Sequence, residues 1–293
     1  METTPAAQPT GMTNYSQDLL HKQFEPEGFQ QKMAPWLPRY DPAKDLAMPL
    51  MKRPDHYHLS PLVGAPTRER TLLALHRGRV QMNVPKYSRG LRQRLAKAAQ
   101  EGNWREKHSI AVTERDGVQG DYSELLASST FCLVLPGDGW SARMDDATLH
   151  GCIPVVTMDE VDVSFESIID LSAFTVPIAE KDAERLPEIL QAKPEERRRE
   201  MQRSLARVWH RFAYSSYRAY SKRFREIQAS HRAWSTPLAD GPVVHSPKPG
   251  SPLSAHSRLA PSLPETVPDL DPEADDAFAT TMAWLYSRIE ATR

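Results

Sequence analysis

Arg143 and Asp146 stand three residues apart, directly after a loop that carries Gly137, Gly139 and Ser141. A glycine-rich loop running into a helix presents backbone N–H groups to an anion, and the helix dipole favours negative charge there. A phosphate is the ligand expected at this place. A second cationic group comes from Arg77, where the run RTLLALH (70–76) closes on Arg77-Gly78-Arg79. An Arg-Gly turn at the carboxyl end of a strand puts fixed positive charge at the edge where open α/β sheets bind ligands. An ordinary surface turn explains the same residues equally well.

The elements that must position these groups are legible around them. Thr130 to Leu135 is an apolar, β-branched run suited to a strand buried on both faces, stopped by Pro136, Gly137 and Gly139. Ser141 is the candidate N-cap of a short helix carrying Arg143, Asp145 and Asp146, which Gly151 ends. Ile153 to Thr157 is a second buried strand, so the stretch reads as one βαβ unit. Further strands are expected near 71–76, 108–113 and 174–178. Amphipathic helices are expected over LRQRLAKAA (91–99, capped by Ser88), over 122–128, over 166–171 and over 180–190 with Pro187 inside it. From Pro194 to Trp234 nearly every residue favours helix, with Met201, Leu205, Val208, Trp209 and Phe212 as the packing stripe. The alternation predicts an α/β fold: a Rossmann-like open parallel sheet with helices on both faces.

Four segments follow. Residues 1–43, broken by prolines, read as an irregular arm with a short helix at Ser16 to Phe24; Lys44 to Leu50 is a short strand candidate opening the main domain, 44–234. Nine of the chain's 25 prolines fall between Pro237 and Pro272 among Ser, Gly and His, so 235–272 reads as a disordered insertion. The closing segment, 273–293, reads as a helix capped by Asp275, with Phe278, Met282, Leu285 and Ile289 packing on the main domain.

Composition bounds the function. Of 293 residues, 37 are basic and 38 acidic, so no bulk field points to nucleic acid, and the Arg run at 197–199 is offset by Glu195, Glu196 and Glu200. No apolar run reaches the ~18 residues of a membrane span, and the polar start lacks the apolar core of a signal peptide. Cys132 and Cys152 read as small buried hydrophobes rather than as a disulfide or reactive thiols. His56 and His58 lack a third ligand, and Asp159, Glu160 and Asp162 read as loop and cap residues, so no metal site is expected.

The order of segments resembles the exostosin-like glycosyltransferases. The resemblance is carried by KDLAMP (44–49), RTLLALHRG (70–78), YSRGLRQRL (87–95), SARMDDATLHGCIPVV (141–156), the run from Asp159 through SFESIIDLSAFTV to Glu180, and DAF (276–278). Ser164 stands where a Pro is usual in that family, and Leu171 where a Trp is common. The resemblance implies the nucleotide-sugar lobe of a two-lobed GT-B enzyme, a UDP-sugar donor, a glycan or glycoprotein acceptor, inversion at the anomeric carbon, and a place in the Golgi lumen or membrane. It implies that Arg77 and Arg143 hold the diphosphate against Gly137, Gly139 and Ser141, and that Asp146 binds the nucleoside. No metal or other cofactor is implied, and the catalytic base is not assigned. The residues ahead of Lys44 are too few for a full first lobe, so a catalytically silent donor-lobe fragment acting as an interaction partner stays open. An unrelated dinucleotide-binding protein is disfavoured, because no G-x-G-x-x-G follows RTLLALH.

Overall fold

The computed structural model describes Met12 and Thr13 and residues 45–137, 141–235 and 275–291. Five strands form one parallel sheet: β1 (Leu72–Arg77), β2 (Ile110–Thr113), β3 (Ser129–Val134), β4 (Ile153–Val156) and β5 (Val176–Pro177), in the order β2-β1-β3-β4-β5. The expected Rossmann-like α/β arrangement is therefore the observed one. All six residues of β3 are buried, as a central strand covered on both faces requires. On one face Phe131 and Leu133 cluster with Leu91 and Leu95 of helix α1 (Leu91–Glu101) and with Trp104 of the short α2 (Trp104–His108). On the other, Leu72, Leu75 and Cys132 cluster with Leu126 of α3 (Tyr122–Ala127) and Ala147 of α4 (Arg143–Leu149).

Several local expectations are corrected. Cys132 and Cys152 form a disulfide, with Cα atoms 5.8 Å apart. Parallel register sets Phe131 opposite Ile153, which brings the residue before β4 beside β3. That proximity belongs to the pairing and not to either cysteine alone. Ser88 is not a cap: its hydroxyl donates to the Pro136 carbonyl at 2.6 Å, and Gly90, at φ 73°, precedes α1. Ser141 is one residue too early, because Ala142 occupies the N-cap position of α4. The helix expected over 166–171 is replaced by turns that begin at Ser164 and include Phe165, whose φ is +60°, and by a 3-10 turn at Leu171–Ala173. Pro187 lies in the first turn of α5 (Leu186–Gln191), where its missing N–H costs nothing, and a 3-10 helix, Glu180–Arg185, precedes it.

The long basic helix is two, α6 (Glu195–Val208) and α7 (Arg218–Ser235), separated by a 3-10 turn at Trp209–Phe212 that buries Trp209 and Phe212. The last helix, α8 (Ala277–Ala291), is capped by Asp276, whose Oδ1 accepts from the Ala279 N–H at 3.0 Å. Asp275 turns instead to His210 and Arg211. Because Ala277 N–H is tied to the Ala213 carbonyl and Asp276 to Ser216, α8 is rotated so that Ala277, Thr281 and Trp284 are buried while Phe278 is 58% exposed.

Leu46–Ala47 is a two-residue strand paired in parallel with Met12–Thr13. The helix expected at Ser16 to Phe24, the N-terminal arm apart from Met12–Thr13, and 236–272 lie outside the described residues.

Candidate functional site

The strand order reverses at β1. The chain leaves β1 through α1 and α2 to β2 on one side, then returns from β2 through α3 to β3 on the other side of β1. A crevice opens beyond the carboxyl ends of such a strand pair. Here it is a cleft of about 730 Å³, and Arg77, Ser141, Arg143 and Asp146 all stand on its wall. Gly137 is buried at the end of β3, next to the Pro136 carbonyl that Ser88 holds. Gly139 lies outside the described residues. The cleft also takes Gly78, Arg79, Arg92, Arg115 and Tyr122 into its wall, none of which the sequence had singled out as a site residue, together with His56. The signal for Gly78 and Arg79 was present in the Arg-Gly-Arg turn; nothing local marked Tyr122.

Arg143 is the best-defined cation of the cleft. Its Nη1 donates to the Tyr122 hydroxyl at 2.8 Å, and it makes no ion pair among the described residues. The guanidinium lies against the backbone of Gly78, where a Cβ would stand 1.8 Å from Nη2. Arg77 is partly occupied: Nε donates to the Arg115 carbonyl at 2.7 Å and Nη1 to the Gly120 carbonyl at 3.2 Å. Arg92 is buried and structural, donating to the carbonyls of Arg79 and Leu135 and to the Tyr87 hydroxyl. Behind Arg143, burial and the neighbouring guanidinium groups of Arg143 and Arg92 hold His76 far below its ordinary pKa, so its imidazole is neutral.

Asp146 and Asp145 diverge. Asp146 forms an ion pair with Lys52 and accepts from the Tyr122 hydroxyl at 3.3 Å. Burial alone would raise its carboxyl; Lys52, aided by Arg143, outweighs this and holds it below the usual carboxylate range. Asp145 turns to the other side of α4, accepting from Leu50 N–H at 2.8 Å and from the Ser164 hydroxyl at 2.7 Å, and burial pushes it up to about 7. Lys52 also donates to the Ala142 carbonyl at 3.1 Å. The segment before β1 is thus fastened over α4 by Asp145 and delivers Lys52 to Asp146, behind the cleft wall.

Asp159 and Glu180 act as mutual loop staples: Asp159 N–H donates to Glu180 Oε1 at 3.0 Å, and Glu180 N–H to Asp159 Oδ1 at 3.2 Å. Among the described residues no three metal-ligating side chains come together. Among them, too, no helix is long and apolar enough to cross a membrane.

Comparison with known proteins shows the family of the chain. The family model described as Exostosin GT47 domain matches residues 15–193. The Exostosin-1 homolog of Caenorhabditis elegans is 36% identical over 96 residues, covering 32% of this chain and 25% of the relative. Human Exostosin-2 is 33% identical over 100 residues, 32% of this chain and 13% of the relative. A probable glucuronoxylan glucuronosyltransferase of Arabidopsis thaliana is 28% identical over 131 residues, 42% of this chain and 26% of the relative. The chain thus spans about a quarter or less of the length of these curated relatives. With the five-stranded sheet and the whole arginine-lined cleft inside the matched residues, the chain belongs to the exostosin GT47 family.

Proposed function

We propose that this domain binds a nucleotide-sugar, a UDP-sugar, in the cleft beyond β1 and β3, and that it serves an inverting transfer of the sugar to a glycan or glycoprotein acceptor. The observation that carries the reading is the convergence of Arg77, Ser141, Arg143 and Asp146 on one cleft at the switch point of the sheet. About 730 Å³ suits a ligand of nucleotide-sugar size. Arg143 has N–H groups beyond the one given to Tyr122, and a guanidinium holds diphosphate oxygens bidentately. Asp146, kept ionised by Lys52, retains lone pairs for ribose hydroxyls.

In the transfer, the acceptor oxygen attacks the anomeric carbon from the face opposite the diphosphate. The bond to the diphosphate oxygen breaks, the acceptor proton passes to a base, and the negative charge that develops on the leaving group is met by Arg143 and Arg77. The names of the relatives, exostosins and glucuronosyltransferases, support a sugar-transferring reaction. The Cys132–Cys152 disulfide supports a folding site in an oxidising compartment, in keeping with the Golgi lumen.

A second reading, donor binding without transfer by this chain, is favoured by the engagement of both cleft carboxylates. Asp121 caps α3 by accepting from Glu124 N–H, and Asp146 serves Lys52 and Tyr122. Calorimetric titration with UDP tests what the two readings share. Arg143→Ala is expected to weaken UDP binding roughly tenfold to a hundredfold; equal affinity in two folded proteins would remove the site. Release of UDP from a UDP-sugar in the presence of oligosaccharide acceptors separates transfer from binding alone.

A further inference from the structure

Arg143 is held away from the acid it would otherwise pair with. Arg143 and Asp146 are three residues apart on α4, a spacing at which a guanidinium and a carboxylate ordinarily meet directly. They do not meet here. The Tyr122 hydroxyl stands between them, accepting from Arg143 Nη1 at 2.8 Å and facing Asp146 Oδ2 at 3.3 Å. Burial, and next to it the Asp146 charge, raise the Tyr122 phenol, so it stays protonated and can serve both neighbours at once. Asp146 is drawn to the opposite side by Lys52, which is itself anchored on the Ala142 carbonyl.

The other boundary is Gly78. Its φ is not positive, so glycine is not required there for backbone conformation. What requires it is space: a Cβ would stand 1.8 Å from Arg143 Nη2 and 2.9 Å from Cζ. The group in the way is the far end of a flexible side chain, so an alanine would move the guanidinium and leave the backbone of the fold in place.

We propose that Tyr122 and Gly78 are positioning residues for Arg143: the phenol separates it from Asp146, and the bare backbone of Gly78 gives its guanidinium a seat at the rim of the cleft. This deepens the reading of the cleft as a diphosphate site and rests on it for its functional consequence. Without the phenol, Arg143 closes on Asp146 as a direct pair, and the charge meant for the ligand is neutralised within the protein. Without the seat, the guanidinium swings out of the cleft.

The test uses the whole chain and its Tyr122→Phe, Gly78→Ala and Arg143→Ala variants, with UDP and inorganic pyrophosphate as probes. Tyr122→Phe is expected to weaken both probes about fivefold to tenfold, and Gly78→Ala to approach the loss seen for Arg143→Ala. On the Arg143→Ala background neither substitution should weaken binding further, since each acts through the missing guanidinium. Additive losses would overturn the proposal, because they would mean that Tyr122 and Gly78 touch the ligand on their own account.

A second readout does not depend on any ligand. The Nε–Hε resonance of Arg143, assigned by its disappearance in Arg143→Ala, should shift in Tyr122→Phe and in Gly78→Ala while the remaining arginine signals stay in place. An unmoved resonance in both variants would overturn the positioning role even if UDP binds. A shifted resonance in a chain that binds neither probe would instead uphold the positioning and remove the diphosphate reading.

Discussion

Asp145 and Asp146 are consecutive on one helix, yet burial pushes the first carboxyl up to about 7 while Lys52 outweighs burial and holds the second below the usual range. About 100° of helix rotation separates them. One faces the fastening segment 46–52 and accepts from two neutral donors, the Leu50 N–H of that segment and the Ser164 hydroxyl from beyond β4. The other faces a lysine. Asp145 thus organises the wall and Asp146 belongs to the cleft. The two are linked through the chain, since the segment that Asp145 fastens carries the lysine that pairs with Asp146.

The raised carboxyl gives a pH signature. A native Asp145 titrating near 7 against an ordinary value of 3.8 binds its proton more tightly when folded, so its contribution is present at low pH and lost as pH rises towards 7. His150 acts oppositely: burial lowers it to about 4 from 6.5, so its contribution is present above 6.5 and lost as pH falls towards 4. Between pH 4 and 6.5 the Asp145 slope opposes the His150 slope in the wild type, and buried His76, also held below its ordinary value, adds to the histidine side. Asp145→Asn removes the opposing carboxyl, so relative to the wild type its unfolding free energy should fall by about 1.4 kcal/mol more for each pH unit below 6.5. Urea titrations of both proteins at pH 5 and 6.5 check this; parallel pH profiles would refute it.

Lys52 is nearly buried with its partner, the two side chains being 9% and 13% exposed. Removing one member of such a pair leaves an uncompensated charge, so Lys52→Met should cost about 3 kcal/mol at neutral pH. The loss should shrink in acid, where Asp146 becomes protonated in the variant. Chemical denaturation at pH 7 and pH 4 measures the difference, and a constant loss at both would show that Lys52 acts through packing alone.

The sheet was legible because it rests on local signals: the strands are short apolar runs, and Gly, Pro or a charged residue follows within three residues of each. The cleft was half legible. Arg77, Ser141, Arg143 and Asp146 lie in or beside the glycine turns that betray them, and all four reach the cleft wall. Lys52, Tyr122 and Gly78 were missed because their roles are pairwise and distant; Lys52 meets Asp146 across 94 positions and Tyr122 meets Arg143 across 21. The disulfide was missed for the same reason, register being a property of two strands. Helix rotation was the other failure. In α8 the apolar stripe through Phe278 was outweighed by the docking of Asp276 on Ser216, which buried the neighbouring face.

The Cys132–Cys152 bond closes a loop with a sequence separation of 20 and clamps α4 between β3 and β4. Loop-closure entropy of that length corresponds to about 3 kcal/mol of stability. The Cys132→Ala, Cys152→Ala double variant should therefore unfold at a lower urea concentration, with a larger effect than a surface substitution gives. Because both sulfurs are buried, the native protein should resist mild reductant until it opens. A thiol titration under native conditions that finds two rapidly reacting groups would contradict the buried bond.

Arg77 separates charge from geometry. Its Nε and Nη1 hold the carbonyls of Arg115 and Gly120, fastening the loop between β2 and α3, and its charge stands on the cleft wall. A lysine keeps the charge but offers one compact ammonium in place of the planar fork, so it cannot span both carbonyls and still face the cleft. Arg77→Ala should weaken UDP binding and raise amide exchange across 115–121. Arg77→Lys should raise exchange nearly as much, while recovering part of the affinity. Hydrogen exchange read by mass spectrometry, set beside calorimetry, distinguishes the two contributions. If exchange in 115–121 stays at the wild-type rate in both variants, the carbonyl contacts do not hold the loop, and any lost affinity belongs to charge alone.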